Sequence, residues 1–211
     1  MKVVIFDMDG TLIDSQYDIT VSINHVRRLR YDLAPLSSQE VVEAINGHQR
    51  NLAAIFYGTK VYHREDREIF EAHYHEQCIQ NPQLYRGVAE LLGTLGEAGV
   101  RLSVATNAPS RFAQRMLEHL GIRSSFDHIF GADMVEKPKP NREMLHAILE
   151  RYGYGEVGDR AWMVGDNAKD MLAAEHAGIT SIFAAWGFSS EGDGDHVAEH
   201  PERIAEIIAK G

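Results

Sequence analysis

Cysteine is nearly absent from this 211-residue chain: Cys78 stands alone. One thiol excludes an internal disulfide and any Cys-rich metal site. Also missing is any apolar stretch long enough to span a bilayer. No block of five or six like charges occurs, and acids outnumber Lys and Arg by 31 to 21, for a net charge of −10. A patternless acidic balance argues against nucleic acid or an anionic membrane as partner. The chain opens on one lysine and a strand-length run that ends in aspartate, so no secretory signal is expected. The eleven histidines are scattered and read as surface or core residues rather than metal ligands. There is no internal repeat and no low-complexity tract. These absences leave a cytoplasmic protein as the expectation, working as a monomer or homodimer on a small molecule.

What is present starts at the N-terminus. Val3-Val4-Ile5-Phe6 is a β-branched and aromatic run without a polar interruption, the pattern of a strand buried on both faces. It stops at Asp7-Met8-Asp9-Gly10-Thr11. Two carboxylates one residue apart at a buried strand end repel each other unless a cation lies between them. The residues from about Gln16 to Gln83 then read as helices with no strand. Ser37 or Ser38 with Glu40 is a helix-start signal, and Asn46-Gly47 is a turn. From Tyr85 onward strands alternate with helices. The strands are Leu102–Ala105, Phe126–Phe130, Ala161–Val164 and Ser181–Ala184. Gly187 to Asp195 reads as a flexible loop, and Pro201 opens a terminal helix.

Alternation of this kind predicts a parallel sheet covered on both faces, with right-handed crossovers. The expected architecture is α/β, a Rossmann-like core formed by residues 1–15 and 84–211, with an all-helical insertion, 16–83, after the first strand. Ligands of open parallel sheets bind beyond the carboxyl ends of the strands. Those ends deliver Asp7 and Asp9, then Thr106-Asn107, then Lys137 shortly after Phe130, then Asp166 with Asp170 four residues on. Carboxylates, a hydroxyl and a cation converge there. Trp162 and Trp186 read as core residues.

These four segments resemble the motifs of the haloacid dehalogenase superfamily, and in particular its phosphoglycolate-phosphatase-like branch. Phe6-Asp7-Met8-Asp9-Gly10-Thr11-Leu12, with Asp14-Ser15, is similar to the first motif. Thr106-Asn107 matches the second, Lys137-Pro138-Lys139-Pro140 the third, and Gly165-Asp166-Asn167-Ala168-Lys169-Asp170 the fourth. The resemblance covers essentially the whole chain and makes the helical insertion a cap domain. It implies a Mg²⁺-dependent phosphatase acting on a small phosphate ester. Asp7 would be the nucleophile and Asp9 the general acid and base. Thr106 and Lys137 would hold the phosphoryl oxygens, with backbone N–H groups of the Met8–Gly10 loop and of Asn107. The metal ligands would be Asp7, Asp166 and the carbonyl of Asp9, with Asp170 orienting Lys137 or a metal-bound water. His48 and Arg50, in the loop between cap helices, would meet the leaving group, Arg50 pairing with a substrate carboxylate.

The charge count agrees with a metal. Asp7, Asp9, Asp166 and Asp170 ionised carry −4, Lys137 returns +1, and a divalent cation brings the sum to −1. Two other functions compete: a phosphomutase using the same aspartyl-phosphate, and a catalytically silent binding module. Asp9 argues against a haloacid substrate, because the superfamily's dehalogenases lack the second acid.

Overall fold

Val3, Val4, Ile5 and Phe6 are almost wholly excluded from solvent and form the centre of the sheet. The structure, a computed structural model, describes residues 1–47, 51–155, 157–189 and 192–211. The chain forms two units, one comprising Met1–Asp14 and Leu84–Gly211 and the other Ser15–Gln83. Strand β1 is Lys2–Phe6. Two short strands, β2 (Ile13–Asp14) and β3 (Gln83–Leu84), pair where the chain passes from one unit to the other.

The α/β unit continues with β4 (Arg101–Ala105), β5 (His128–Phe130), β6 (Arg160–Gly165), β7 (Thr180–Ala184) and β8 (His196–Ala198). Their order is β5-β4-β1-β6-β7-β8, and every pair is parallel. The chain runs outward from β1 through β4 to β5, then returns to the other side of β1 with β6. The order therefore reverses around β1, the place where an open α/β sheet leaves a crevice at its carboxyl edge. β8 departs from the sequence reading, which left Gly187 to Asp195 as a loop and went directly to the terminal helix. A three-residue strand with two exposed residues carries too little hydrophobic signal to be seen.

Of the helices, α1 (Gln16–Tyr31), α2 (Ser38–Asn46), α3 (Leu52–Tyr57) and α4 (Arg64–Gln77) belong to the second unit. The α/β unit holds α5 (Val88–Glu97), α6 (Ser110–His119), α7 (Glu143–Tyr152), α8 (Ala168–Ala177) and α9 (Glu202–Lys210). Strand alternation assigns the faces. Val3, Ile5, Ala161 and Met163 pack with Met144, Leu145 and Ile148 of α7 and with Ala173 and Ala174 of α8. Lys2 lies on the alternate face; its ammonium donates to the Ile208 carbonyl of α9 at 2.6 Å and sits over the Trp162 ring. Both faces are thus covered, which is why the strands read as unbroken apolar runs.

The helical unit has its own core of Ile23, Val26, Val41, Ala44, Phe56 and Tyr57. Ser37 and Glu40 form a reciprocal capping box at the start of α2. Ser15 stands at the N-cap of α1 but makes no side-chain capping bond. The Arg27 guanidinium donates to the carbonyls of Ala34 and Phe56, so a buried cation is matched by backbone dipoles. Asp18, also buried, accepts from Gln77 Nε2 at 2.7 Å and from the backbone and side chain of Asn81 at 3.0 and 2.9 Å. Among the described residues, no helix is long and apolar enough to cross a membrane.

Candidate active site

Asp7 extends β1 by one residue: its N–H donates to the Val164 carbonyl of β6 at 2.8 Å. The next residues fold back tightly. The Met8 carbonyl accepts from the N–H groups of Thr11, Leu12 and Ile13, and Gly10 N–H donates to the Ile13 carbonyl. Gly10 has φ +85°, and a Cβ on it would lie 2.3 Å from Asp166 Oδ2. Glycine is required there twice over, for the left-handed backbone and for the close approach. Asp9 is half-buried beside it.

Strand β6 ends at Gly165, and Asp166 follows, buried. Its Oδ1 accepts from the Thr11 hydroxyl at 3.2 Å and its Oδ2 from Phe188 N–H at 2.7 Å. Asn167 and Asp170 form a capping box at the start of α8, in which Asp170 Oδ2 accepts from Asn167 N–H at 3.1 Å. The other oxygen of Asp170 accepts from a lysine, so this acid both caps its helix and anchors a cation.

That lysine is Lys139, not Lys137. Lys139 Nζ lies 2.8 Å from Asp7 Oδ1 and 2.6 Å from Asp170 Oδ1, with 4% of the residue exposed. The expectation for Lys137 is therefore corrected. The sequence holds two Lys-Pro pairs in tandem, and it is the lysine of the second that reaches the acids. The Glu143 carboxylate accepts from the N–H groups of Glu136 and Lys137 and holds that backbone at the surface, where Lys137 is exposed. Two residues on, the Asn107 side chain grips the backbone of Lys139 and brings it to the carboxyl edge of the sheet.

Thr106 follows β4; its N–H donates to the Phe130 carbonyl at 2.9 Å, and its buried hydroxyl accepts from Ala108 N–H at 3.1 Å. The loop after β7 also reaches the site, which the sequence reading missed by treating Trp186 as core. Trp186 is half-buried, and its Nε1–H donates to the Thr11 carbonyl at 3.0 Å. A Cβ on Gly187 would stand 2.2 Å from the Gly10 carbonyl oxygen and 2.3 Å from Asp166 Cβ. The strand-end rule applied to β7 would have found this loop. His48 and Arg50 lie outside the described residues.

Three acids close together in a dry place set the electrostatics. Burial, reinforced by Asp7 and Asp170, pushes the Asp166 carboxyl up to about 8. Burial also raises Asp170, against the opposing effect of Lys139. Burial alone would lower the Lys139 ammonium, but Asp170 and Asp7 more than offset it and hold it above its ordinary value. One lysine against three carboxylates leaves the cluster over-charged when all are ionised. Carboxylate oxygens of Asp7, Asp166 and Asp170 lie within 4.8 Å of one another. A compact set of hard oxygen donors with an unmet negative charge fits a divalent cation such as Mg²⁺.

Residues 4–184 match the family model described as haloacid dehalogenase-like hydrolase. A phosphoglycolate phosphatase of Vibrio parahaemolyticus is 31% identical over 228 residues, covering 99% of this chain and 96% of that one. An N-acetylmuramic acid 6-phosphate phosphatase of Pseudomonas aeruginosa is 28% identical over 217 residues, covering 99% and 95%. A crystal structure from Haemophilus somnus, described as a predicted phosphoglycolate phosphatase, superposes with a TM-score of 0.84 at 25% identity, covering 98% of this chain and 97% of that one. With Asp7, Asp166 and Asp170 gathered at the carboxyl edge of a parallel sheet and Lys139 tying the first and last of them together, the chain belongs to the haloacid dehalogenase-like hydrolases, in their phosphoglycolate-phosphatase-like branch, and is a phosphoric monoester hydrolase.

Proposed function

We propose that this enzyme hydrolyses a small phosphorylated carboxylic acid, of which phosphoglycolate is the model, with Mg²⁺ as cofactor and a phosphoaspartate on Asp7 as intermediate. The observation that carries the reading is the Asp7 carboxylate at the tip of β1, one oxygen fixed by Lys139 and the Asp166 and Asp170 acids beside it. A fixed, ionised carboxylate is a nucleophile; splitting the displacement in two lowers each barrier.

In the first half, an Asp7 oxygen attacks phosphorus, the bond from phosphorus to the ester oxygen breaks, and Asp9 gives its proton to the departing alkoxide. In the second half, water attacks the phosphoaspartate, Asp9 accepts its proton, and the bond from phosphorus to Asp7 breaks. Inorganic phosphate leaves and both acids return to their starting states. Lys139 keeps Asp7 oriented and meets the phosphoryl oxygens, together with the Thr106 hydroxyl and the N–H groups of Met8 and Asn107; the Gly10 N–H, expected to join them, is given instead to the Ile13 carbonyl. The carboxylates of Asp7 and Asp166, with the Asp9 carbonyl, would hold Mg²⁺, which when bound supplies positive charge against the acids and the phosphate.

The substrate class rests on the relatives' names. Phosphoglycolate and N-acetylmuramic acid 6-phosphate each join a phosphate ester to a carboxylate. Arg50 is the cation that the family resemblance assigns to that carboxylate.

Phosphate release with Mg²⁺ over a panel of phosphorylated acids, sugar phosphates and nucleoside monophosphates tests the reading. The expected leading substrate carries a carboxylate, and Asp7→Asn abolishes turnover. Arg50→Ala should raise KM for that substrate more than for p-nitrophenyl phosphate. Isomerised sugar phosphate without release would make the enzyme a mutase instead, and turnover by Asp7→Asn would remove the covalent step.

A further inference from the structure

The Asn107 side chain makes two hydrogen bonds to one residue, and that residue is Lys139. Its Nδ2–H donates to the Lys139 carbonyl at 2.8 Å, and its Oδ1 accepts from the Lys139 N–H at 3.1 Å. Both backbone groups of Lys139 are thereby held by one planar amide projecting from the end of β4. The lysine is fixed at its other end as well, by Asp7 and Asp170. Between these anchors lies a flexible four-carbon stem. With only the ammonium end held, the backbone on which the stem stands would be free to shift, and the stem would follow it. The segment around Lys139 has no regular secondary structure, so no ladder of backbone bonds fixes it.

We propose that Asn107 is a positioning residue for this reaction, acting through its side chain by clasping the Lys139 backbone so that the ammonium stays between Asp7 and Asp170. The proposal rests on the phosphatase reading for its kinetic arm and adds to it. There Asn107 was given a role through its own backbone N–H, which a side-chain substitution leaves in place. The clasp needs a donor and an acceptor at amide spacing, which asparagine supplies and aspartate does not. It also couples two strand ends: whatever sets the loop after β4 sets the lysine that follows β5.

The test compares wild type with Asn107→Ala. Lysine acetylation by an excess of a soluble N-hydroxysuccinimide ester is followed residue by residue in digested protein by mass spectrometry, and kcat and KM are measured in parallel. Buried and paired, Lys139 should label slowly in wild type. In Asn107→Ala it should label about tenfold faster, while Lys137 and Lys169 label at wild-type rates. In the same protein kcat should fall about 10- to 100-fold, the scale of a small misplacement of a reacting group, with KM changed much less. Asn107→Asp is the second variant should the alanine protein fail to fold. It keeps the size and the acceptor but has no N–H for the Lys139 carbonyl, so its Lys139 should also label faster. An unchanged Lys139 labelling rate in a folded variant overturns the proposal whatever happens to kcat, and so does faster labelling with kcat unaltered. If wild type releases no phosphate from any ester, the phosphatase reading fails on its own, and the labelling comparison still reports whether the clasp holds the lysine.

Discussion

Lys139 Nζ lies 2.6 Å from Asp170 Oδ1, and both side chains are almost wholly buried. The same ammonium reaches Asp7 at 2.8 Å. One cation therefore ties the end of β1 to the first turn of α8, while Asp170 also closes the cap of that helix. A buried ion pair of this kind is weak evidence for stability, because desolvation opposes the attraction. Its place beside Asp7, the proposed nucleophile, gives it a reason to exist if Asp7 attacks phosphorus.

Lys139→Ala should therefore lower kcat by about a thousandfold or more, the scale of losing a group that stabilises transition-state charge. Lys137→Ala should leave kcat within about twofold, as expected of an exposed surface side chain. Phosphate-release kinetics on the two variants decide the matter; the reverse ranking would return the role to Lys137.

This pair also shows what was legible in the sequence. The buried strand, the alternation after Tyr85 and the acids at strand ends could be read because they follow periodicity and the carboxyl-edge rule, which need no tertiary information. The choice between Lys137 and Lys139 could not be read that way. Both precede a proline, and what separates them is the clasp by Asn107, a contact across 32 positions. The Trp186 loop escaped for a related reason. An indole that donates to the Thr11 carbonyl 175 positions away looks, in sequence, like any core tryptophan. β8 escaped because it is short and mostly exposed.

Gly187 touches the site by having no side chain. Gly187→Ala would drive a Cβ into the Gly10 carbonyl and Asp166, a contact with backbone that no rotamer relieves. The loop must move, taking Phe188 N–H away from Asp166. Expected are a loss of about 1–3 kcal/mol in stability by overpacking and weaker Mg²⁺ binding by titration calorimetry. Gly93→Ala in α5 is the contrast: nothing lies within 4 Å of its Cβ, and it should stabilise by about 0.5–1 kcal/mol. Unchanged Mg²⁺ affinity in Gly187→Ala would show that the loop does not hold Asp166.

Asp133 caps α6 from outside the helix. Pro109 at the N-cap has no side-chain acceptor to offer, and Asp133 accepts instead from Ser110 N–H at 2.6 Å and from its hydroxyl at 2.7 Å. Burial works to raise this carboxyl, but the two Ser110 bonds, a backbone N–H of Asp133 itself and the charge of Arg111 together outweigh it and hold it below its ordinary value. A carboxyl lowered by folding stabilises fully above the usual aspartate range, and that stabilisation is lost as pH falls through the folded value. Thermal melts should therefore show Asp133→Ala less stable than wild type by about 1 kcal/mol near pH 7, the scale of a helix cap. The gap should narrow below pH 4. A gap independent of pH would mean that the charge contributes nothing.

Asp18 gives the helical unit a test of its own. It is buried and satisfies three donors, on Gln77 and Asn81, that join the start of α1 to the end of α4 and the segment after it. Asp18→Ala removes the shared acceptor and leaves those donors without it, among them a backbone N–H. The cost should be about 2–4 kcal/mol, since a buried donor left unsatisfied forfeits its desolvation energy as well as its bond. Asp18→Asn keeps one acceptor oxygen but turns an N–H₂ towards other donors, so it should fall between alanine and wild type. Denaturant melts measure both. Because Asp18 belongs to the helical unit and the acids around Lys139 to the α/β unit, kcat for p-nitrophenyl phosphate should hold at temperatures where the variant remains folded. A loss of less than about 0.5 kcal/mol in Asp18→Ala, the range of ordinary surface changes, would show that the three donors find other partners.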